Sequence, residues 1–162
     1  MKHKVGLTKF FDLTMEEFRV KYTGLKVEKI EKNEIEKNEN IGISNDGSYV
    51  DHTSKISPIK DQRNCGSCYA FSSVAAVEFE YNSKNQLSGS KMANFSEQEI
   101  IDCSTTSGNL GCQGGSNEHA LSYMRDNGLS NQSSYPYTGI DSYCKAKNIQ
   151  RVLEPKKVIR AI

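Results

Sequence analysis

At 162 residues the chain is long enough for one ordinary domain with a real core. Its 36% apolar and 25% charged residues describe a globular protein with some polar excess, and a net charge of +1 gives no pull toward nucleic acid or an anionic membrane. No apolar run approaches the roughly 18 residues of a transmembrane helix.

Along the chain, Met1 to Lys9 is basic but lacks the apolar core of a signal peptide, so the N-terminus is read as truncated. Residues 12–24 form a short predicted helix. Thr14 and Glu17 make a capping-box pattern, Leu13 and Phe18 a hydrophobic staple, and Gly24 the stop. The charged run from Lys26 to Asn40, nearly a duplicate of Glu-Lys-Asn-Glu, has no apolar face and reads as a solvated, cleavable linker. Order resumes near Tyr49, and a helix follows from about Cys68 to Tyr81. Ala70, Val74, Val77 and Tyr81 share one face with Phe71 and Ala75 beside it, a pattern that predicts a central, buried helix. Ser96 and Glu99 repeat the box, Phe95 and Ile100 the staple. A third helix runs from about Asn117 to Asp126 and stops at Asn127-Gly128. The segment after Arg151 reads as an opening strand.

The chemistry sits between Gln62 and Ser72. Gln62-Arg63-Asn64-Cys65-Gly66-Ser67-Cys68 puts a thiol at a helix start, six residues after a side-chain amide. Only a thiolate attacks well, and the positive end of a helix favours it by typically 0.3–1 kcal/mol. The Cys68 N–H and the Gln62 amide could together hold the oxyanion of an attacked carbonyl. Two other readings compete. Cys65 and Cys68 also form a Cys-x-x-Cys redox pattern, though without the strand of a βαβ unit before it. Cys103 and Cys112 lie nine apart with no histidine at ligand spacing, a weak case for zinc. The odd count of five cysteines suits two disulfides and one free thiol in an oxidising compartment, or five reduced thiols in the cytosol. The sequons at Asn94 and Asn131 fit secretion.

Cys65-Gly66-Ser67-Cys68-Tyr69 resembles the nucleophile signature of papain and the cathepsins. Ser57 to Gln62 before it, Ser96 to Glu99 with Asp102-Cys103, Gly111-Cys112-Gln113-Gly114-Gly115, Tyr135-Pro136-Tyr137 and Cys144 follow in the order of papain-family, cathepsin L-like cysteine proteases. Gly6 to Phe18 is similar to the end of their inhibitory propeptide, and Val50-Asp51 to their mature N-terminus.

The resemblance implies an α+β papain-like fold, here mostly the α-helical left domain with the β-rich right domain missing. It divides the chain into the propeptide's C-terminal part (1–25), a charged linker (26–48), the helical domain (49–150) and the start of the right domain (151–162). It also implies Cys68 as nucleophile, Gln62 as oxyanion donor, and disulfides Cys65–Cys112 and Cys103–Cys144. Gly66, Ser67, Gly114, Gly115, Ser116 and Asn117 would bind substrate, the two glycines letting an extended peptide backbone come close. No cofactor or metal is implied. The partners would be a peptide or protein substrate and the chain's own propeptide, in a protein monomeric when complete and lysosomal, vacuolar or secreted.

The chain departs from the pattern at Tyr69 and His52, where tryptophans are usual, at a two-residue deletion between His52 and Ile56, and at Ser116 and Asn117, which stand where apolar residues line the second specificity pocket. His3, His52 and His119 do not fit the general-base role. The family's histidine lies about 130–150 residues past the cysteine. The chain alone is therefore expected to be an inactive zymogen fragment. The alternative is a non-catalytic module that binds peptides or a protease.

Overall fold

A computed structural model describes residues 6–24 and 51–156. The duplicated acidic-basic run, residues 1–5 and the last six residues lie outside that span. Among the described residues there are four α-helices: α1 (Met15–Tyr22), α2 (Cys68–Lys84), α3 (Glu97–Cys103) and α4 (Asn117–Asn127). Short 3-10 turns connect them. Among the described residues there is no extended sheet, only antiparallel bridges between Phe95 and Asn131 and between Leu129 and Leu153. Of the strand expected after Arg151, the described residues show one bridge at Leu153, and residues 157–162 lie outside the described span.

Helix α2 packs against α3 and α4 through Tyr69, Ala70, Val74 and Val77. Ile100, Ile101, Ala120, Tyr123 and Met124 supply the facing surface. One expectation needs correcting. Helix α2 is central but not buried all round, since Phe71 is half-buried and Ala75 is exposed. Residues at i and i+4 from Phe71 face away from the core, so the apolar run makes two faces, one of them open.

Helix α3 is buried along its whole length although it reads Glu-Gln-Glu-Ile-Ile-Asp-Cys. Its polar side chains are anchored on loops, as buried polar groups must be. Gln98 accepts the N–H groups of Thr138 and Gly139 and donates to Ile140 O and to Asp102, which in turn accepts the Tyr135 hydroxyl at 2.8 Å. The Ser96–Glu99 box is only half formed. Ser96 Oγ accepts the Glu99 N–H at 3.0 Å, whereas the Glu99 carboxylate takes the Tyr123 hydroxyl, the Ser130 N–H and hydroxyl, and Arg151. One charged donor, Arg151, and three neutral ones from distant segments hold the carboxylate there, and the Ser96 N–H goes to Ser130 O instead.

At α1 the box is complete. Thr14 accepts from Glu17 N and Glu17 reaches back to Thr14 N at 2.8 Å. Gly24, however, is not the helix stop. The C-cap is Thr23, whose N–H returns to Arg19 O, and Gly24 is absent from the left-handed glycines. Its role is spatial.

Candidate active site

The nucleophile candidate is placed by three constraints. Cys68 opens α2, and no side chain caps that helix, because the Ser67 hydroxyl is turned to Cys65 O and the Tyr137 hydroxyl. The Cys68 and Tyr69 N–H groups are therefore left for an anion, while Ala70 N–H already donates to Ser67 O. Cys65 is joined to Cys112, and Gly66 N donates to Cys112 O at 2.9 Å, which clamps the entry to α2 against the 111–115 turn. Tyr69 is fully buried and its hydroxyl donates to Gly111 O at 3.0 Å, bracing the same turn from inside. Burial pushes that phenol up, so it stays protonated and keeps donating.

Cys68 is the one free thiol among the described residues and is partly exposed. Cys103 pairs with Cys144. With Cys65 bonded to Cys112, a redox pair with Cys68 is not the arrangement present, and the two cysteines of the zinc reading are each in a disulfide.

Gln62 approaches from the loop before α2. Its Nε2 donates to Cys65 O at 2.8 Å and to Tyr22 O at 3.5 Å. Its own carbonyl accepts the Tyr137 hydroxyl at 2.6 Å. The loop is held open at Arg63, whose φ of 54° is unusual for a residue with a side chain. Asp61 receives the Arg63 N–H at 2.9 Å. That N–H first, and Lys9 second, hold the Asp61 carboxyl below the usual range.

Gly114 and Gly115 face this loop across a groove that already holds a chain. Gly115 N donates to Gly24 O at 2.8 Å. A Cβ on Gly24 would stand 2.0 Å from Gly66 O, and one on Gly114 2.1 Å from Gly24 O. Tyr22 donates its hydroxyl to Asn64 at 3.0 Å. Three backbones therefore meet where none can carry a side chain. Ser116 caps α4 by accepting the Glu118 N–H. Asn117 turns toward α2, its amide donating to Ser72 Oγ at 2.6 Å, Ser73 Oγ at 2.9 Å and Tyr69 O at 3.4 Å. The wall beside the first turn of α2 is polar at both positions.

The described histidines serve elsewhere. His52 packs edge-on against Phe79, and His119 lies against Gly108 with a buried, unpartnered Nδ1. Sequence reasoning missed Tyr22 and Asn64. It also quoted Tyr137 only for its place in a motif, although that hydroxyl ties Gln62 to Ser67. The motif carried the signal, while its hydrogen bonds cross about seventy residues of chain.

The family profile described as papain family cysteine protease matches residues 45–161. Thiol protease SEN102 of Hemerocallis sp. is 39% identical over 151 residues, covering 88% of this chain and 40% of that protein. A cathepsin L-like proteinase of Fasciola hepatica is 37% identical over 148 residues, covering 88% and 43%. Among solved structures, a recombinant stem bromelain precursor superposes with a TM-score of 0.70 at 26% identity, over 94% of this chain and 47% of that one. The chain belongs to the papain family of cysteine proteases. Helices α2, α3 and α4 correspond to the helical domain of that fold, and the chain spans about 40% of the length of the relatives it matches.

Proposed function

We propose that the chain carries the nucleophile side of a papain-like cysteine endopeptidase together with the end of its own inhibitory propeptide. The observation that carries this reading is Gly24 seated between Gly66 and Gly114–Gly115, with its carbonyl on the Gly115 N–H, beside a free thiol at a helix start. A main chain lying in that groove would take the place of a substrate backbone. In the working enzyme the Cys68 thiolate would attack a peptide carbonyl to give an acyl-enzyme. The Cys68 N–H and Gln62 Nε2 would take the oxyanion once Gln62 is released from Tyr22 O. A histidine outside the described residues would supply the base. Residues 26–48 would be the linker cut on activation, and 151–162 would lead into the second domain. Ser116 and Asn117 favour a polar or small residue at the second substrate position over a bulky apolar one.

Two disulfides support an oxidising compartment, and with it a lysosomal, vacuolar or secreted setting. No helix among the described residues is long and apolar enough to cross a membrane.

The test is peptide hydrolysis by the full translation product. We expect thiol-dependent cleavage abolished by Cys68→Ala and lowered roughly 10²–10³-fold by Gln62→Ala, the cost of one oxyanion donor. A folded product without hydrolysis would overturn the reading in favour of a binding module.

A further inference from the structure

The two Asn-x-Ser sequons, Asn94-Phe95-Ser96 and Asn131-Gln132-Ser133, are brought side by side by the antiparallel bridge between Phe95 and Asn131. Gln132 N donates to Asn94 O at 2.8 Å on one side of that bridge, and Ser96 N to Ser130 O at 3.1 Å on the other. Residues opposite each other on such a bridge share a face, and successive residues alternate between faces. Asn131 thus shares the face of Phe95, which is fully buried, and is itself half-buried. Asn94 turns away from that face and is exposed.

An asparagine accepts a glycan without cost to the fold only if its amide nitrogen holds nothing together. Asn82, Asn85, Asn109, Asn117 and Asn127 each donate Nδ2 to a protein oxygen. Among the described residues Asn94 Nδ2 donates to none, and only its backbone carbonyl is engaged, by Gln132 N. Asn131 Nδ2 is equally unbonded, but the Asn131 carbonyl holds the Ser134 and Tyr135 N–H groups at 3.0 and 3.1 Å, in a turn that runs into buried Tyr135. A sugar there would have to leave beside Phe95. The hydroxyl that completes the first sequon is closed off by folding. Ser96 is fully buried, accepts the Glu99 N–H at 3.0 Å and donates to Tyr135 O at 2.7 Å.

We propose that Asn94 is the N-glycosylation site of this pair, loaded before α3 forms and locks Ser96 in place. The donor is an oligosaccharide linked to a lipid diphosphate. Asn94 Nδ2 attacks the first sugar carbon, the bond from that carbon to the diphosphate oxygen breaks, one amide proton passes to a base of the transferase, and the lipid diphosphate leaves. The second N–H of the amide remains. The inference rests on the oxidising, secretory setting proposed above and stands apart from the catalytic reading.

The first test is secretion of the full translation product behind a signal peptide. Enzymatic removal of the glycan in heavy-oxygen water then marks each carrier asparagine as labelled aspartate. Label is expected at residue 94 and not at 131, with a single glycan-dependent band shift that is lost in Asn94→Gln and kept in Asn131→Gln. Label at 131, or none in a product with both disulfides formed, would overturn the assignment. The second test needs no compartment, so a failure of the setting cannot be mistaken for a failure of the site. With purified oligosaccharyltransferase and the lipid-linked donor, the reduced, unfolded chain should be modified at Asn94 and the folded, disulfide-bonded chain should not. Modification of both forms alike, or of neither, would overturn it.

Discussion

Gly24 illustrates how much one missing side chain can hold. Its backbone sits within reach of Gly66 O, Gly114 and the Gly115 N–H, and any Cβ there would collide with main-chain atoms that cannot yield. Gly24→Ala should therefore lift residues 22–24 out of the groove and uncover Cys68. We expect iodoacetamide to alkylate Cys68 several-fold faster in that variant, with little change in global stability because the segment adds no core residue. An unchanged rate would mean that the segment does not shield the thiol. Sequence reasoning named Gly114 and Gly115 as backbone-binding glycines but took Gly24 for a helix stop. Both readings expect glycine, and only the neighbouring chain tells a left-handed cap from a close approach.

At the scale of the element, α1 has eight residues, too short to persist alone. It stays through its cap, the cluster of Phe10, Phe18 and Tyr22 rings packed mostly edge to face, and the Lys9–Asp61 ion pair. Two carboxylates there respond to pH. The Thr14 N–H and hydroxyl hold the Glu17 carboxyl below its usual range, and the Arg63 N–H and Lys9 do the same for Asp61. A depressed folded value means that these contacts stabilise fully above the ordinary carboxylate range and are lost as pH falls through the lowered values. Residues 6–24 should thus remain seated near neutral pH and loosen below about pH 4, seen as rising amide exchange confined to that segment. Thr14→Ala should raise the same exchange about fivefold even at neutral pH, the ~1 kcal/mol typical of a lost N-cap. Protection in this segment that is flat with pH would contradict the first expectation, and an unchanged neutral-pH rate in Thr14→Ala the second.

The capping boxes were legible because they depend on residues three apart. The second box also shows where that logic ends. Glu99 had the right spacing but found Arg151, Tyr123 and Ser130 in the folded chain.

Across the whole molecule, the Cys65–Cys112 disulfide joins the nucleophile's approach to the glycine turn over 47 residues of sequence. Removing a crosslink of that span relaxes the unfolded chain by about 4 kcal/mol in the chain-entropy view. Cys65→Ser with Cys112→Ser should lower the urea midpoint accordingly. It should also separate Gly66 from Gly115 before global unfolding, which would appear as early exposure of Cys68 to alkylation. Loss of the groove only together with the core would show that Tyr69 and Tyr137 brace it sufficiently.

The sequence by itself determined the helices, the thiol at a helix start, the amide six residues before it, and the family, since each rests on local periodicity or on motifs of a few adjacent residues. Tertiary structure decided which face of α2 stays open, why α3 can bury three carboxylates, and that Gly24 rather than a side chain fills the groove. Those outcomes depend on which distant groups come within hydrogen-bond reach once the chain has closed, and spacing along the sequence carries no record of that.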